Sequence, residues 1–380
     1  MRKIYLDHAA ATPIDKKVLA AMQPYFSQEF YNPSATYLSA INVAKDIASA
    51  RAKVAMWLGA RPSEVIFTAG GTEANNLAIN GITRLYPKGN VVTSAIEHES
   101  VLGSAGQYHH KIAPVHPDGL IDLDKLAETI DSQTVLVSVM LANNEIGTIQ
   151  PIRQIGQLIK KIKKERLAKG NKTPLFFHTD ACQAANYIDL HANRLEVDML
   201  TINGGKIYGP KQSGALFVRA GTHLQPQILG GGQEFGLRSG TENVPGIIGL
   251  AKALDLVQKH HRAETIRLQS LQQLFFRLLK EQIPNAVING SIKNRLPSNI
   301  HITLLGYDNE RLMMELDHKG VICAVGSACS ASSEEPSHVL KAIGLSDKDA
   351  QSSLRFSMGN STTEADIKKT IKTLAEIVSV

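Results

Sequence analysis

The chain has 380 residues, of which 43% are hydrophobic and 20% charged, with a formal net charge of +6. That length exceeds one average domain, so about two domains are expected, with a core large enough to need no staples. Three cysteines argue against a disulfide framework, no apolar run is long enough to span a bilayer, and the mild charge gives no reason to expect direct nucleic-acid binding.

The start, MRKIYLDHAAATP, has basic residues but no apolar segment behind them, unlike a secretory leader, so a reducing cytoplasm is the expected setting. Residues 1–15 read as irregular. Helix-spaced apolar residues follow over 16–24 and 40–58, the second stripe being Ile41, Ala44, Ile47, Ala48, Val54 and Leu58. Residues 65–68 read as a short strand running into Ala69-Gly70-Gly71-Thr72-Glu73 and a helix over 74–82. A strand, a glycine turn and a helix start leave N–H groups pointing outward, so Gly71 and Thr72 are candidate anion contacts. A plain strand-to-helix turn would use the same residues.

The next strand covers 90–96 and leads to Glu97-His98-Glu99-Ser100. Residues 134–140, TVLVSVM, are continuously apolar, as in a parallel strand buried on both faces, and they lead to Asn143-Asn144-Glu145. Pro151 suits the first turn of a helix with the stripe Ile155, Leu158, Ile159 and Ile162. Its lysine-rich continuation, 160–172, reads as a solvated face.

Residues 176–214 concentrate the chemistry. One apolar strand ends in Asp180; a second, 197–202, runs into a Gly-Gly turn carrying Lys206. An acid and a lysine on neighbouring strand ends suit a pyridoxal phosphate (PLP) site, with the lysine in a Schiff base and the acid on the ring nitrogen. They also suit a strand-end salt bridge. The alternation of short strands and amphipathic helices predicts a mostly parallel sheet with helices on both faces. Thr72, His98, Asn144, Asp180 and Lys206 all fall at its C-terminal strand ends, where such sheets bind ligands.

Residues 229–240, LGGGQEFGLRSG, lack the strand-to-helix context of a dinucleotide loop and read as a flexible or interface loop. A long amphipathic helix starts near Pro245 and runs past His260. Strands over 299–305, 320–325 and 353–357, with helices over 309–318 and 364–377, form a second, smaller unit. The expected division is 16–255 for the large domain, and 1–15 with 256–380 for the small one. Cys329 sits among small polar residues in VGSACSASSEEP, a loop-borne thiol able to act as a nucleophile or to stand as a passive small residue. Cys323, in VICAV, reads as core, and Cys182 as a filler near Asp180. No metal site is expected, since Cys323 and Cys329 match no common ligand spacing.

In order along the chain stand YLDHAAATP, TAGGTEANNLAI, EHESV, ANNEIGTIQPI, DACQ, GKIYGPK, GGGQEFGLRSGTEN, GSACSAS and SLRFSMG. Together they resemble the cysteine desulfurases of the NifS/IscS branch over nearly the whole length. The resemblance implies an α/β fold of fold-type I, the PLP-dependent transferase architecture of aspartate aminotransferase. Its large domain has a mostly parallel seven-stranded sheet flanked by helices, its smaller C-terminal domain is α+β, and the protein is a homodimer. It implies conversion of L-cysteine to L-alanine, with sulfur left as a persulfide on Cys329 for an iron–sulfur scaffold or a tRNA-thiolation enzyme. By motif, Lys206 would carry the Schiff base, Asp180 the ring nitrogen, Gln183 the ring 3-oxygen, and His98 a stacking and proton-transfer role. Asn144 would sit beside the ring. Gly71 and Thr72 would hold the phosphate, with Thr241 reaching it from the other subunit. Arg355 would clamp the substrate carboxylate, with Asn32 at the same end.

The chain also departs from that branch. Asn203-Gly204-Gly205 replaces the usual Ser-x-His before the lysine, leaving the Asn203 amide and the Gly205 N–H as candidate phosphate contacts. Cys182 stands where Ser or Thr is common, Tyr37 where His is usual, and Asn360 where Arg often follows. Two alternatives therefore stay open: a selenocysteine lyase or other PLP lyase, and a PLP-fold protein with weakened catalysis that serves as a binding or scaffolding partner.

Overall fold

Segments such as Val65-Ile66-Phe67 and Val135-Leu136-Val137 have no polar face to give to water, so their sheet must be covered on both sides. The computed structural model describes residues 3–325 and 336–379. The chain begins with β1 (Ile4–Tyr5), α1 (Lys16–Met22), α2 (Leu38–Leu58), β2 (Val65–Thr68), α3 (Gly71–Thr83), β3 (Asn90–Ser94), α4 (Glu99–Ala105) and β4 (His110–Ala113). It continues with α5 (Leu123–Thr129), β5 (Thr134–Ser138), α6 (Ile152–Ala168), β6 (Phe176–Asp180), α7 (Ala192–Leu195), β7 (Met199–Asn203) and β8 (Gly214–Val218). Strands β2 to β8 form one seven-stranded sheet in the order β2-β8-β7-β6-β5-β3-β4. All neighbours pair in parallel except β8, which is antiparallel to both β2 and β7.

Alternate residues feed the two sides of the large core. Val65, Phe67, Leu200, Ile202 and Phe217 pack toward α1, α2 and α6. Ile66, Met199, Leu216 and Val218 pack toward α3 and α4. The buried face of α2 is Ala40, Val43, Ile47, Ala50, Val54, Ala55 and Leu58. The expected stripe thus holds at Ile47, Val54 and Leu58, whereas Ile41 is exposed. Over the first turns the burying face lies one to two positions from the residues read as apolar. Strand β4, with the half-wet pattern His-Lys-Ile-Ala, escaped the sequence reading.

The remaining elements are α8 (Val244–Gln282), β9 (Val287–Ile288), β10 (Asn299–Thr303), α9 (Asn309–His318), β11 (Val321–Ile322), α10 (His338–Ala342), α11 (Asp347–Ala350), β12 (Ser353–Ser357) and α12 (Glu364–Val378). Strands β9, β10 and β12 form an antiparallel sheet, and β1 pairs in parallel with β11. The strand expected over 320–325 shrinks to Val321–Ile322, and Ala324 then makes an isolated bridge to Arg355. This second core takes Ile4 and Leu6 from the N-terminus and Leu268, Leu271, Phe275 and Leu279 from α8. The first half of the same helix gives Ile247, Leu250 and Leu254 to the large core. At 39 residues α8 is about 58 Å long and ties both cores to one rod.

The glycine-rich segment 229–240 is pinned rather than loose. Glu234 is buried, takes the Phe67 N–H at 2.8 Å, and pairs both oxygens with the Arg51 guanidinium. Arg51 in turn lies over the rings of Phe67 and Phe235.

Glycine is required where β8 meets the turn before α3. Gly70 has φ 131°, open only to glycine, and a Cβ on Gly214 would lie 2.7 Å from the Gly70 backbone. Gly214→Ala is expected to lower stability by about 1–3 kcal/mol in urea unfolding, because only backbone could yield.

Candidate active site

Strands β6 and β7 run side by side and parallel, so their C-terminal ends open on the same edge. Asp180 ends β6. After Asn203 ends β7, Gly204–Lys206 form one tight turn, closed by the Gly204 N–H on the Ser213 carbonyl at 2.8 Å. The Lys206 amine donates to the Ala9 carbonyl at 2.9 Å and to the Ala10 carbonyl at 2.6 Å. The Asn186 amide holds the Lys206 carbonyl at 2.7 Å from behind. The lysine is thus fixed by the N-terminal segment as well as by its own turn.

Asp180 is 6% exposed. Its carboxylate accepts from the Cys182 N–H at 2.8 Å and from Asn75 Nδ2 at 2.7 Å. Asn75 Nδ2 also donates to Ser100 Oγ at 2.9 Å, joining α3 to α4 across the cleft floor. Two N–H donors fix the carboxylate and leave it lone pairs for a further N–H.

His98 caps α4. Its Nδ1 accepts the Ser100 N–H at 3.1 Å and lies 2.8 Å from Ser100 Oγ, which turns the ring into the cleft wall. Arg355 is 1% exposed. It pairs with Asp7 at 2.8 Å and donates to the Asn144 carbonyl at 3.0 Å, while its Nε has no partner among the described residues. The ion pair is buried rather than superficial, and its guanidinium lines the cleft.

The cleft holds about 70 Å³ of free space in its inner part and about 660 Å³ in the open part that adjoins it. Its inner lobe is lined by His98, Asn144, Asp180, Gln183 and Arg355. An outer lobe continues past the N-terminus of α3 to Gly205 and Lys211, and the two lobes share Ala10, Gly71, Thr72, Asn203 and Lys206. A PLP molecule fits this order of groups. Its ring nitrogen would meet a buried carboxylate, its aldehyde an amine at the junction, and its phosphate a helix N-terminus at the open end.

Burial sets the remaining protonation states. The Cys182 thiol lies in the same cleft and is pushed well up, first by burial and then by Asp180, so it packs as a neutral group. Cys323 is core, as expected, and burial pushes it up to about 12. Glu97, one residue before His98, is fully buried beside the Met140 N–H and the Ser94 hydroxyl. Burial raises it to about 8 against the pull of those two donors, and the Asp180 charge adds to the rise.

Most of the expected residues converge. Gly71, Thr72, His98, Asn144, Asp180, Gln183, Asn203, Lys206 and Arg355 line the inner lobe, and Gly205 lines the outer one. Gly205 differs from expectation in one respect: its N–H is taken by Asn203 Oδ1 at 3.0 Å. Asn32 and Thr241 are exposed and line neither lobe, and Cys329 lies outside the described residues. Sequence reasoning missed Ala9, Ala10 and Asn75. Their only signals are a small-residue run and a polar side chain on the buried side of an amphipathic helix. Among the described residues no group of three or more His, Cys, Asp or Glu is placed to hold a metal.

A lysine and an acid on adjacent strand ends, over a helix N-terminus in this sheet order, define a fold-type I PLP enzyme. Residues 4–370 match the Aminotransferase class-V model, and the chain belongs to that family, in its cysteine desulfurase branch. It is 40% identical to a cysteine desulfurase IscS of Dictyoglomus turgidum, over 99% of this chain and 95% of that one. A solved NifS-like protein superposes with TM-score 0.90 at 30% identity, covering 99% of both chains. A structure titled SspA in complex with cysteine matches at 37% identity and TM-score 0.79, over 93% of this chain and 98% of that one.

A carboxyl whose folded value is raised stabilises the fold below its unfolded value and loses that contribution as pH rises to the folded one. For Glu97 the window is about 4.5 to 8. Urea unfolding is expected to show wild-type stability falling through this window relative to Glu97→Gln, which cannot ionise.

Proposed function

We propose that the enzyme converts L-cysteine to L-alanine and takes the sulfur as a persulfide on Cys329 for delivery to an acceptor protein. The observation that carries the reading is the pairing of Lys206 and Asp180 in one cleft, the amine held by two carbonyls. The desulfurase relatives and the cysteine-bound SspA structure support the substrate.

When bound, PLP supplies an electron sink for negative charge at the substrate Cα. Asp180 would hold the ring nitrogen and Gln183 the ring 3-oxygen. His98 would stack on the ring and assist proton transfer, while Asn144 would border it. Gly71, Thr72 and the Asn203 amide would hold the phosphate. Arg355 takes the substrate carboxylate through its planar fork, a task its buried seat beside Asp7 suits. Lys206 carries the proton at Cα. Cys329 thiolate attacks the substrate sulfur: an S–S bond forms as the Cβ–S bond breaks. The electron pair stays with the substrate and is protonated to give alanine. A thiol of ordinary pKa near ~8.5 is mostly protonated at neutral pH, so removal of its proton by a neighbouring group would help the attack.

The two cores support a large domain over 16–255 and a small one built from 1–15 with 256–380. In a homodimer a second copy would bring Thr241 to the phosphate end; Asn32 remains a surface residue of this chain. No helix among the described residues is long and apolar enough to cross a membrane. We place the enzyme in the cytoplasm, with an iron–sulfur scaffold or a tRNA-thiolation enzyme as acceptor.

Lys206→Ala is expected to lose the visible absorbance of the lysine-bound cofactor. Cys329→Ala should keep that absorbance yet form no alanine from L-cysteine; full alanine release by this variant overturns the role of the thiol. Release from selenocysteine but not cysteine would instead mark a selenocysteine lyase. Absence of the visible band after purification with PLP would mark a non-catalytic binding partner.

A further inference from the structure

We propose that Lys211 supplies the cationic charge that holds the cofactor phosphate in this chain. The inference rests on the reading of the cleft as a PLP site and adds a residue to it.

The outer lobe is poor in free donors. The Gly205 N–H is already bonded to Asn203 Oδ1 at 3.0 Å, which also occupies the Asn203 oxygen. Neutral groups remain: Thr72, the Asn203 amide nitrogen, the first N–H groups of α3 and, in a homodimer, the Thr241 hydroxyl of a second copy. Together with the helix dipole they carry about half a positive charge toward a phosphate that bears nearly two negative ones.

Three charged side chains line this lobe: Glu73, Lys206 and Lys211. Glu73 is engaged, with Arg238 at 3.0 Å and the Ala69 N–H at 3.0 Å. The Lys206 amine points to the carbonyls of Ala9 and Ala10 and is the partner of the aldehyde, not of the phosphate. Lys211 makes no ion pair among the described residues.

Its position is set by the same turn that carries Lys206. The Gly209 N–H bonds the Gly204 carbonyl at 2.9 Å, and Ser213 Oγ bonds the Pro210 carbonyl at 2.7 Å. Gln212, the next residue, takes φ 57°, in the left-handed region that marks a tight turn. A Cβ on Gly205 would meet Asn203 Oδ1 at 3.5 Å and Lys211 Cγ at 3.6 Å. The space that a side chain at 205 would fill is therefore open, and the stem of Lys211 forms its wall. An ammonium on a flexible stem acts there as a point charge without demanding a fixed geometry.

The test compares PLP with pyridoxal, which keeps the aldehyde and ring but lacks the phosphate. Affinity is read from visible absorbance in the wild type, Lys211→Met and Lys211→Arg. Lys211→Met is expected to weaken PLP on the order of ten-fold, the size of one charge-assisted contact in a solvent-open lobe, and to leave pyridoxal unchanged. Lys211→Arg should restore most of the loss, and the difference should shrink as salt rises. Inorganic phosphate should compete with PLP uptake by the apoprotein less well in Lys211→Met than in the wild type. Equal weakening of PLP and pyridoxal, or undiminished PLP affinity, overturns the proposal. Lys211→Gln, closer in length and polarity, reads the same ratio if Met disturbs the turn. Failure of the wild type to take up PLP would overturn the cofactor reading itself, an outcome distinct from either.

Discussion

Everything in the cleft depends on bringing a carboxylate and an amine to the same edge of a buried sheet. Parallel pairing of β6 and β7 brings their ends together. Each group also has hydrogen-bond partners of its own. Asp180 is held by Asn75 and the Cys182 N–H, and Lys206 by the carbonyls of Ala9 and Ala10. The N-terminal segment is thus part of the site, although it adds only two residues to any strand.

The second core matters for the same reason. Residues Ile4 and Leu6 are anchored in it, and the chain then passes through Asp7 to the two carbonyls at Lys206. β12 presents Arg355 from the same side, and one guanidinium joins Asp7 to the Asn144 carbonyl at the end of the large sheet. Removing that guanidinium would leave a largely buried carboxylate without its partner, a costly state in a site of low polarity. Helix α8 carries both cores, so the geometry of the cleft follows from packing along one rod.

Much of this was legible in the residues alone. Continuous apolar runs fixed the strands of a two-sided sheet, and polar residues after them fell at its ligand-binding edge, as Asp180, His98 and Asn144 do. The stripe on α2 was harder to read, because apolar residues occupy more than one face and only packing selects among them. Short β4 carries too little pattern to stand out. The roles of Ala9 and Ala10 were invisible because they act through carbonyls, which every residue has. Asn75 was hidden for the opposite reason: a polar side chain on the apolar face of α3 reads as a flaw until its carboxylate partner is known. The bond from the Gly205 N–H to Asn203 is a local choice that composition does not encode.

Cys182 has a further consequence. Its sulfur lies in the chamber where sulfur chemistry would occur, yet burial and the neighbouring acid hold it as an unreactive thiol. The same is true of Cys323 behind the wall. A persulfide on Cys329, as proposed, would therefore meet no readily ionised thiol at Cys182 or Cys323. In the proposed reaction, fidelity of cargo transfer would come from suppressing the reactivity of the resident thiols as much as from ionising the one that attacks.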